Sequence, residues 1–322
     1  MNTGGGDLLL DPFSYIINLT QAGNILAALV SNNVTVRTSV DEPMYGSSGV
    51  STDPGDITVN ADIQYDSTYD LTFLAHRHVN FNASVQNSNA TGGDVNIVAG
   101  WDGVTTDIAT ILSDDTTFGI GDGSVFVGDS TQTSGIAVGS RFGSTNVAAH
   151  DLAIDGSDTT NSAYAQLGFR VFDAAPVSTD GSIDVSLTGD LTANGGNSSF
   201  RSNAQLGHGG QDANGDFSGD ITIHQVNDIT FKAGNGTFAF AQLGHGGLNS
   251  GGKHSGVITI YQANDLSFTG GKDFAAYAQL GHGGAFGDGD ISGNIVIHSA
   301  HDLKFMGGSD EDSYAQLGNG GA

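Results

Sequence analysis

Apolar and polar residues alternate along this chain in short runs, and the runs come in threes. Between Asp220 and Leu243 they are Ile221-Thr-Ile223, Ile229-Thr-Phe231 and Ala239-Phe-Ala-Gln-Leu243. A period of two places Ile221, Ile223, Ile229, Phe231, Ala239, Ala241 and Leu243 on one side of an extended chain. The next stretch repeats the pattern with Ile258, Ile260, Leu266, Phe268, Ala276, Ala278 and Leu280, and the last with Ile295, Ile297, Leu303, Phe305, Ala315 and Leu317. Turn formers separate the runs: Ser-Gly before the first, Asn227-Asp228 or Asn264-Asp265 before the second, and Gly-Gly after the second and third. Each unit therefore predicts three short strands and three corners. Only Gln21–Val30 carries a helical pattern, enough for a turn or two.

The units are copies of one another. Ala-Gln-Leu-Gly occurs at Ala165, Ala204, Ala241, Ala278 and Ala315, at intervals of 39, 37, 37 and 37 residues. Three copies continue as His-Gly-Gly, from His208, His245 and His282; Asn319 and Phe169 stand in place of the histidine in the other two. A unit of three strands and three corners cannot bury its own apolar face, but a stack of such units can. The expected architecture is all-β: a right-handed parallel β-helix, a solenoid of about 37–39 residues per three-stranded coil. Every strand would pair with its equivalent in the next coil about 4.8 Å away.

Four segments are expected. Residues 1–54 form a β-helix start with a short helix. Residues 55–100 form less regular coils, with Gly55-Asp-Ile-Thr-Val59 equivalent to Gly93-Asp-Val-Asn-Ile97 one coil later. Residues 101–144 form irregular coils or a lateral excursion, and 145–322 the regular tandem repeats. Roughly seven coils would make a rod on the order of 35 Å.

Composition narrows the function classes. Among 322 residues there are 50 Gly, 4 Pro and no Cys, and 9 Lys+Arg stand against 35 Asp+Glu for a net charge of −26. Collagen needs far more Pro and a strict triplet. Disulfide scaffolds and thiolate metal sites need Cys. Nine scattered cations supply no basic face for nucleic acid. No run of eighteen apolar residues offers a membrane-inserted helix, and Met1-Asn-Thr-Gly-Gly-Gly is no signal peptide. An acidic chain without Cys suits export, so an extracellular address is expected.

Leu8-Leu-Leu-Asp11-Pro12, Asn24-Ile-Leu-Ala-Ala-Leu29, Asn33-Val-Thr-Val36, Gly55-Asp-Ile-Thr-Val-Asn-Ala61 and Asp70-Leu-Thr-Phe73 together resemble the large exoproteins of the filamentous-haemagglutinin type. The likeness spans roughly residues 8–100. It implies a two-partner-secretion adhesin at the cell surface of a Gram-negative bacterium, folded outside as a long β-helical rod. The family's amino-terminal secretion domain is not recognisable, which implies an internal repeat segment flanked by further repeats of the same chain.

Three sets of side chains are candidates for chemistry. Gln166, Gln205, Gln242, Gln279 and Gln316 share one register, outward if Ala and Leu face inward, and are expected to form an amide ladder along the axis. Asn227 and Asn264 would do likewise at a corner. His208, His245 and His282 form a second column, for which turn packing is expected over metal binding. His76 and His78 are expected to be solvated. Asp212, Asn214, Asp216 and Asp220 place oxygen ligands at alternate positions, so this loop is the one candidate for a cofactor, Ca²⁺. The rival reading is that Asp, Asn and Gly are simply good corner residues.

No catalytic residues are expected, because the acids recur coil after coil instead of forming one constellation. The expected function is the structural shaft of a secreted adhesin-like exoprotein whose partners are host or neighbouring-cell glycans or proteins. Two alternatives remain. One is a carbohydrate-active β-helix enzyme with residues 101–144 as a cleft wall and acids such as Asp114 or Asp122. The other is a purely structural matrix or filament protein.

Overall fold

A computed structural model describes residues 8–10, 14–38, 55–171 and 176–321. Asp11-Pro12 of the opening motif and all of 39–54 lie outside the described residues. The described chain winds through three sheets in which every pairing is parallel, with nine, nine and eight strands. In the regular region the first sheet takes Ile221–Ile223, Ile258–Ile260 and Ile295–Ile297. The second takes Ile229–Lys232, Asp265–Thr269 and Asp302–Met306, and the third takes Ala241–Leu243, Ala278–Leu280 and Ala315–Leu317. Identical positions pair without slippage: Ile221 with Ile258, Phe231 with Phe268, Gln242 with Gln279. The fold is a parallel β-helix.

The core follows the alternation. Ile221, Ile223, Ile229, Phe231, Ala241 and Leu243 all enter one central cluster running the length of the stack. Phe231, Phe268 and Phe305 stack inside it with ring centroids 5.1 Å apart. Ala239 and Ala276 are buried but outside this cluster, because the third strand begins at Ala241 and Ala278 and not two residues earlier. Burial depends on having a neighbour on both sides: Leu280 is 0% exposed, while Leu317 at the same position of the last coil is 46% exposed.

Coil length is not constant, and this corrects two expectations. Between residues 55 and 100 the axial partners are only 22 to 24 residues apart. Ile57–Val59 belongs to the second sheet and Val95–Ala99 to the first, so the two Gly-Asp motifs are not equivalent positions. A 22-residue turn has room for three strands and bare corners. The 37-residue turn adds a lateral loop between the third sheet and the first. Among the described residues the stack therefore holds nine rungs in two of its sheets and not seven, about 40 Å of rod.

Three additions dress this frame. Helix α1 (Leu19–Leu29) is N-capped by the Asn18 side chain, which accepts from the Thr20 and Gln21 amides. It drops Ala22, Ile25 and Leu29 into the central core and packs against Ile63–Tyr65, the first strand of the third sheet. A helix satisfies its own hydrogen bonds and so covers a strand edge without pairing to it. Helix α2 (Ile108–Ser113) lies in a lateral excursion between Val95–Ala99 and Val125–Val127. There Trp101, Ile111 and Phe118 bury against Leu74, Val98 and Ala148 on the outer face of the first sheet. The third addition is the set of loops after each Ala-Gln-Leu strand. These loops stack on one another through bridges such as Gly209–Gly246–Gly283 and Phe217–His254–Ile291. They enclose small cores of their own around Phe217 and Tyr277.

Candidate functional site

The polar side chains of the regular coils are bonded mainly along the axis. At the start of the first sheet, Asn33 Oδ1 accepts the Asp70 amide, Asp70 Oδ1 accepts the Asp94 amide, and Asp94 Oδ1 accepts the Ser144 amide, at 2.8–3.0 Å. At the start of the second, Asp151, Asp190 and Asp228 each accept the amide of the aspartate one coil on. Asn227 and Asn264 do not ladder with each other; their amides donate to Asp190 and Asp228. The span is one inter-coil spacing, which one methylene reaches and two overshoot. That accounts for a chain with 35 acids in which Glu occurs only at 42 and 311.

The histidine column obeys the same rule. The His208 amide donates to His245 Nδ1 at 3.0 Å, and the His245 amide to His282 Nδ1 at 3.1 Å. A backbone N–H can only donate, so each Nδ1 is an acceptor and the ring proton sits on Nε2. Those Nε2–H groups reach the carbonyls of Gly181, Gly219 and Gly256 at 2.7, 2.9 and 3.2 Å. The rings stack 4.9 Å apart. Burial pushes the pKa of His208 and His282 down from 6.5 to about 4, and burial together with the adjacent His208 and His282 rings pushes His245 well down. Both nitrogens of each neutral ring are thus committed to backbone, which leaves no lone pair for a metal.

The exceptions in the column fit this geometry. Asn319 Oδ1 accepts the His282 amide at 3.0 Å and its Nδ2 donates to Gly293 at 2.8 Å, reproducing both imidazole bonds. Phe169 occupies the coil where no such acceptor is required. The preceding coil stays in strand there, and its Ser140 amide already donates to Thr145 Oγ1.

The glutamines point away from the core, as expected, but they are not an amide-to-amide ladder on the surface. Gln166, Gln205, Gln242 and Gln279 are fully buried beneath the lateral loops. Gln205 Nε2 donates to the carbonyls of Gly244 and Gly246, and Gln242 to those of Gly281 and Gly283, at 2.8–3.0 Å. Gln316, half-buried on the last coil, bonds only within its own turn. The glycine after each Leu permits this approach: a Cβ on Gly207 or Gly244 would stand 2.0 Å from the next coil's carbonyl oxygen.

In the loop expected to hold calcium, Ala213 and Phe217 are buried and the polar side chains are bonded to neighbouring groups. Asp212 bonds Arg201 at 2.6 Å and Asn249 at 2.9 Å, Asp216 the Lys253 amide and Asp220 the Val257 amide. Asn214 bridges to Gly251. Among the described residues, the one set of three His or Asp ligand atoms within 4.8 Å of one another is elsewhere, at Asp265, His301 and Asp302. There His301 replaces the corner asparagine and bonds Asp265 at 3.1 Å. His76 and His78 are likewise engaged and not simply solvated: His76 pairs with Thr38 and lies against Trp101, and His78 Nδ1 accepts the Ser124 amide.

One concavity stands apart. A cleft of about 610 Å³ lies on the outer face of the first sheet. Its floor is three successive rungs, Thr35 and Arg37, then Asp70 and Thr72, then Asp94 and Asn96, and the first turn of α2 is its wall. Burial raises the Asp94 pKa, with Asp70 and Asp184 adding to it against the Ser144 hydrogen bond. Asp114 and Asp122 are not on this cleft. The sequence does carry its signal: Asn33-Val-Thr, Asp70-Leu-Thr and Asp94-Val-Asn are one motif in three coils, masked because its intervals are unequal, 37 residues and then 24.

The chain matches no protein-family model, no curated protein and no solved structure.

Proposed function

We propose that this chain is the shaft of a secreted, cell-surface adhesin-like exoprotein, a stiff β-helical rod that projects or presents adhesive surface to glycans or proteins of another cell. The observation that carries the reading is how the coils are joined: histidine, glutamine, asparagine and aspartate columns bond one coil to the next over the stack. Such a rod resists bending and proteolysis because opening one turn strands buried donors in its neighbours. Repetition supplies many equivalent faces, so weak contacts add by avidity. Flanking repeats of the same protein would extend the stack. Beads coated with the protein test the reading: they should adhere to epithelial cells in a glycan- or protein-competable way, and indifference of coated and bare beads would reject adhesion.

A carbohydrate-active enzyme is the second reading. What favours it is the cleft, where Asp94 keeps its proton to higher pH beside Asp70. New reducing ends released from a polysaccharide, and lost in Asp94→Asn, would establish it over the shaft.

A further inference from the structure

The cleft on the first sheet gathers the outward polar side chains of three rungs against the wall of α2. Here Thr35, Asp70 and Asp94 keep an oxygen without a hydrogen-bond partner among the described residues, because the caps to the next coil use only Oδ1 of each aspartate. Asn96 donates to Thr72 Oγ1 at 3.1 Å, leaving the threonine proton to be given away. The rungs repeat at the inter-coil spacing of about 4.8 Å. Leu74, Ile108 and Ala109 supply an apolar flank.

Charge and geometry select the occupant. Asp70, Asp94 and Asp107 outnumber Arg37, whose guanidinium lies 5.9 Å from the Trp101 ring centre. In a chain of net charge −26 an anion is repelled from such a cleft. A metal ion is not held either, since these carboxylates do not converge on one point. The hydroxyls, carboxylates and apolar flank of the lining suit an uncharged ligand that both donates and accepts many hydrogen bonds, repeats along its length and carries apolar C–H faces. We propose that the cleft binds a segment of a neutral oligosaccharide laid along the stack, its hydroxyls paired with the carboxylates of Asp70 and Asp94 and the hydroxyls of Thr35 and Thr72. The volume is that of a ligand pocket and not of a packing defect. This rests on the adhesive reading above and names the ligand class of one site within it.

Calorimetric titration of the whole chain with cellohexaose, maltohexaose, chitohexaose and hexagalacturonate tests it. At least one neutral hexasaccharide should bind. Ala109→Trp, which fills the cleft from an exposed helix position, should weaken that binding at least tenfold with unchanged thermal unfolding. Asp70→Asn, which keeps an acceptor for the Asp94 amide, should weaken it less. Thr230→Trp on the second sheet should have no effect. The proposal is overturned if no neutral hexasaccharide binds, if Ala109→Trp binds like the parent, or if hexagalacturonate binds equally well. Coated beads keep the two ideas apart: adhesion unchanged in Ala109→Trp with no sugar binding removes the cleft and leaves the adhesive shaft, whereas sugar binding without adhesion does the reverse.

Discussion

The excursion around α2 and the tandem repeats use the same residue for opposite purposes. In the excursion, Asp102, Asp107 and Asp114 accept amides two or three residues further along their own loop. In the repeats, Asp151, Asp216 and Asp220 accept amides 37 to 39 residues away, in the next coil. Nothing in the residue itself decides between these. The repeats have a copy of themselves one spacing above, whereas the excursion packs on the sheet by apolar side chains and has no copy to cap. Stability in the repeats is therefore shared between coils, and in the excursion it stays local.

The largest effect that separates the regions comes from adding one carbon. Gly244→Ala puts a methyl 2.0 Å from the Gly281 carbonyl at a φ of +149°, while Gly121→Ala, with φ +70°, meets nothing within 4 Å. Gly244→Ala should cost on the order of 3 kcal/mol or more and Gly121→Ala about 1 kcal/mol, measured by denaturant unfolding. Equal losses would mean that the backbones do not stack as described.

The histidine column gives the next largest difference. His245→Ala strands the His208 amide and the Gly219 carbonyl in a buried site and should cost roughly 3 kcal/mol. His245→Asn can make both bonds, as Asn319 does, and should recover all but about 1 kcal/mol of that. If the two variants melt together, the ring was valued for its packing alone.

Acid should take the regions apart in order. A histidine whose folded pKa is below 6.5 gives stability that is complete above pH 6.5 and declines as pH falls toward about 4. Asp107 and Asp114 are held below 3.8 by hydrogen bonds from Thr110 and Thr116, so their contribution persists until pH drops beneath 3.8. On acidification, hydrogen exchange should quicken in the lateral loops of the repeats before the fluorescence of Trp101, the single tryptophan and part of the excursion core, changes. The reverse order would contradict the assignment.

These contrasts also mark what the sequence discloses. Alternation at Ile221, Ile223, Ile229 and Phe231 was enough for the three sheets and their register, because a period of two admits one inward face. The repeat interval disclosed the columns at His208 and Gln205 but not their depth. Their burial comes from a lateral layer whose sequence, Gly-Asp-Asn-Ser rich, reads as ordinary loop. Coil length misled where Ile57 and Val95 look alike yet lie in different sheets, since a Gly-Asp turn before a strand suits any corner. The cleft is hard to read for a related reason: its three rungs are 37 and then 24 residues apart, so no single period links them.

The polar columns hold coil to coil. The tautomeric state of His208, His245 and His282 tests this most directly, through ¹⁵N chemical shifts followed from pH 8 to pH 4 with and without added zinc. All three should remain neutral with the proton on Nε2 well below pH 6.5, His208 and His282 until pH approaches 4, unchanged by the metal. Titration near 6.5, an Nδ1–H tautomer, or shifts on adding zinc would show rings free to do other work.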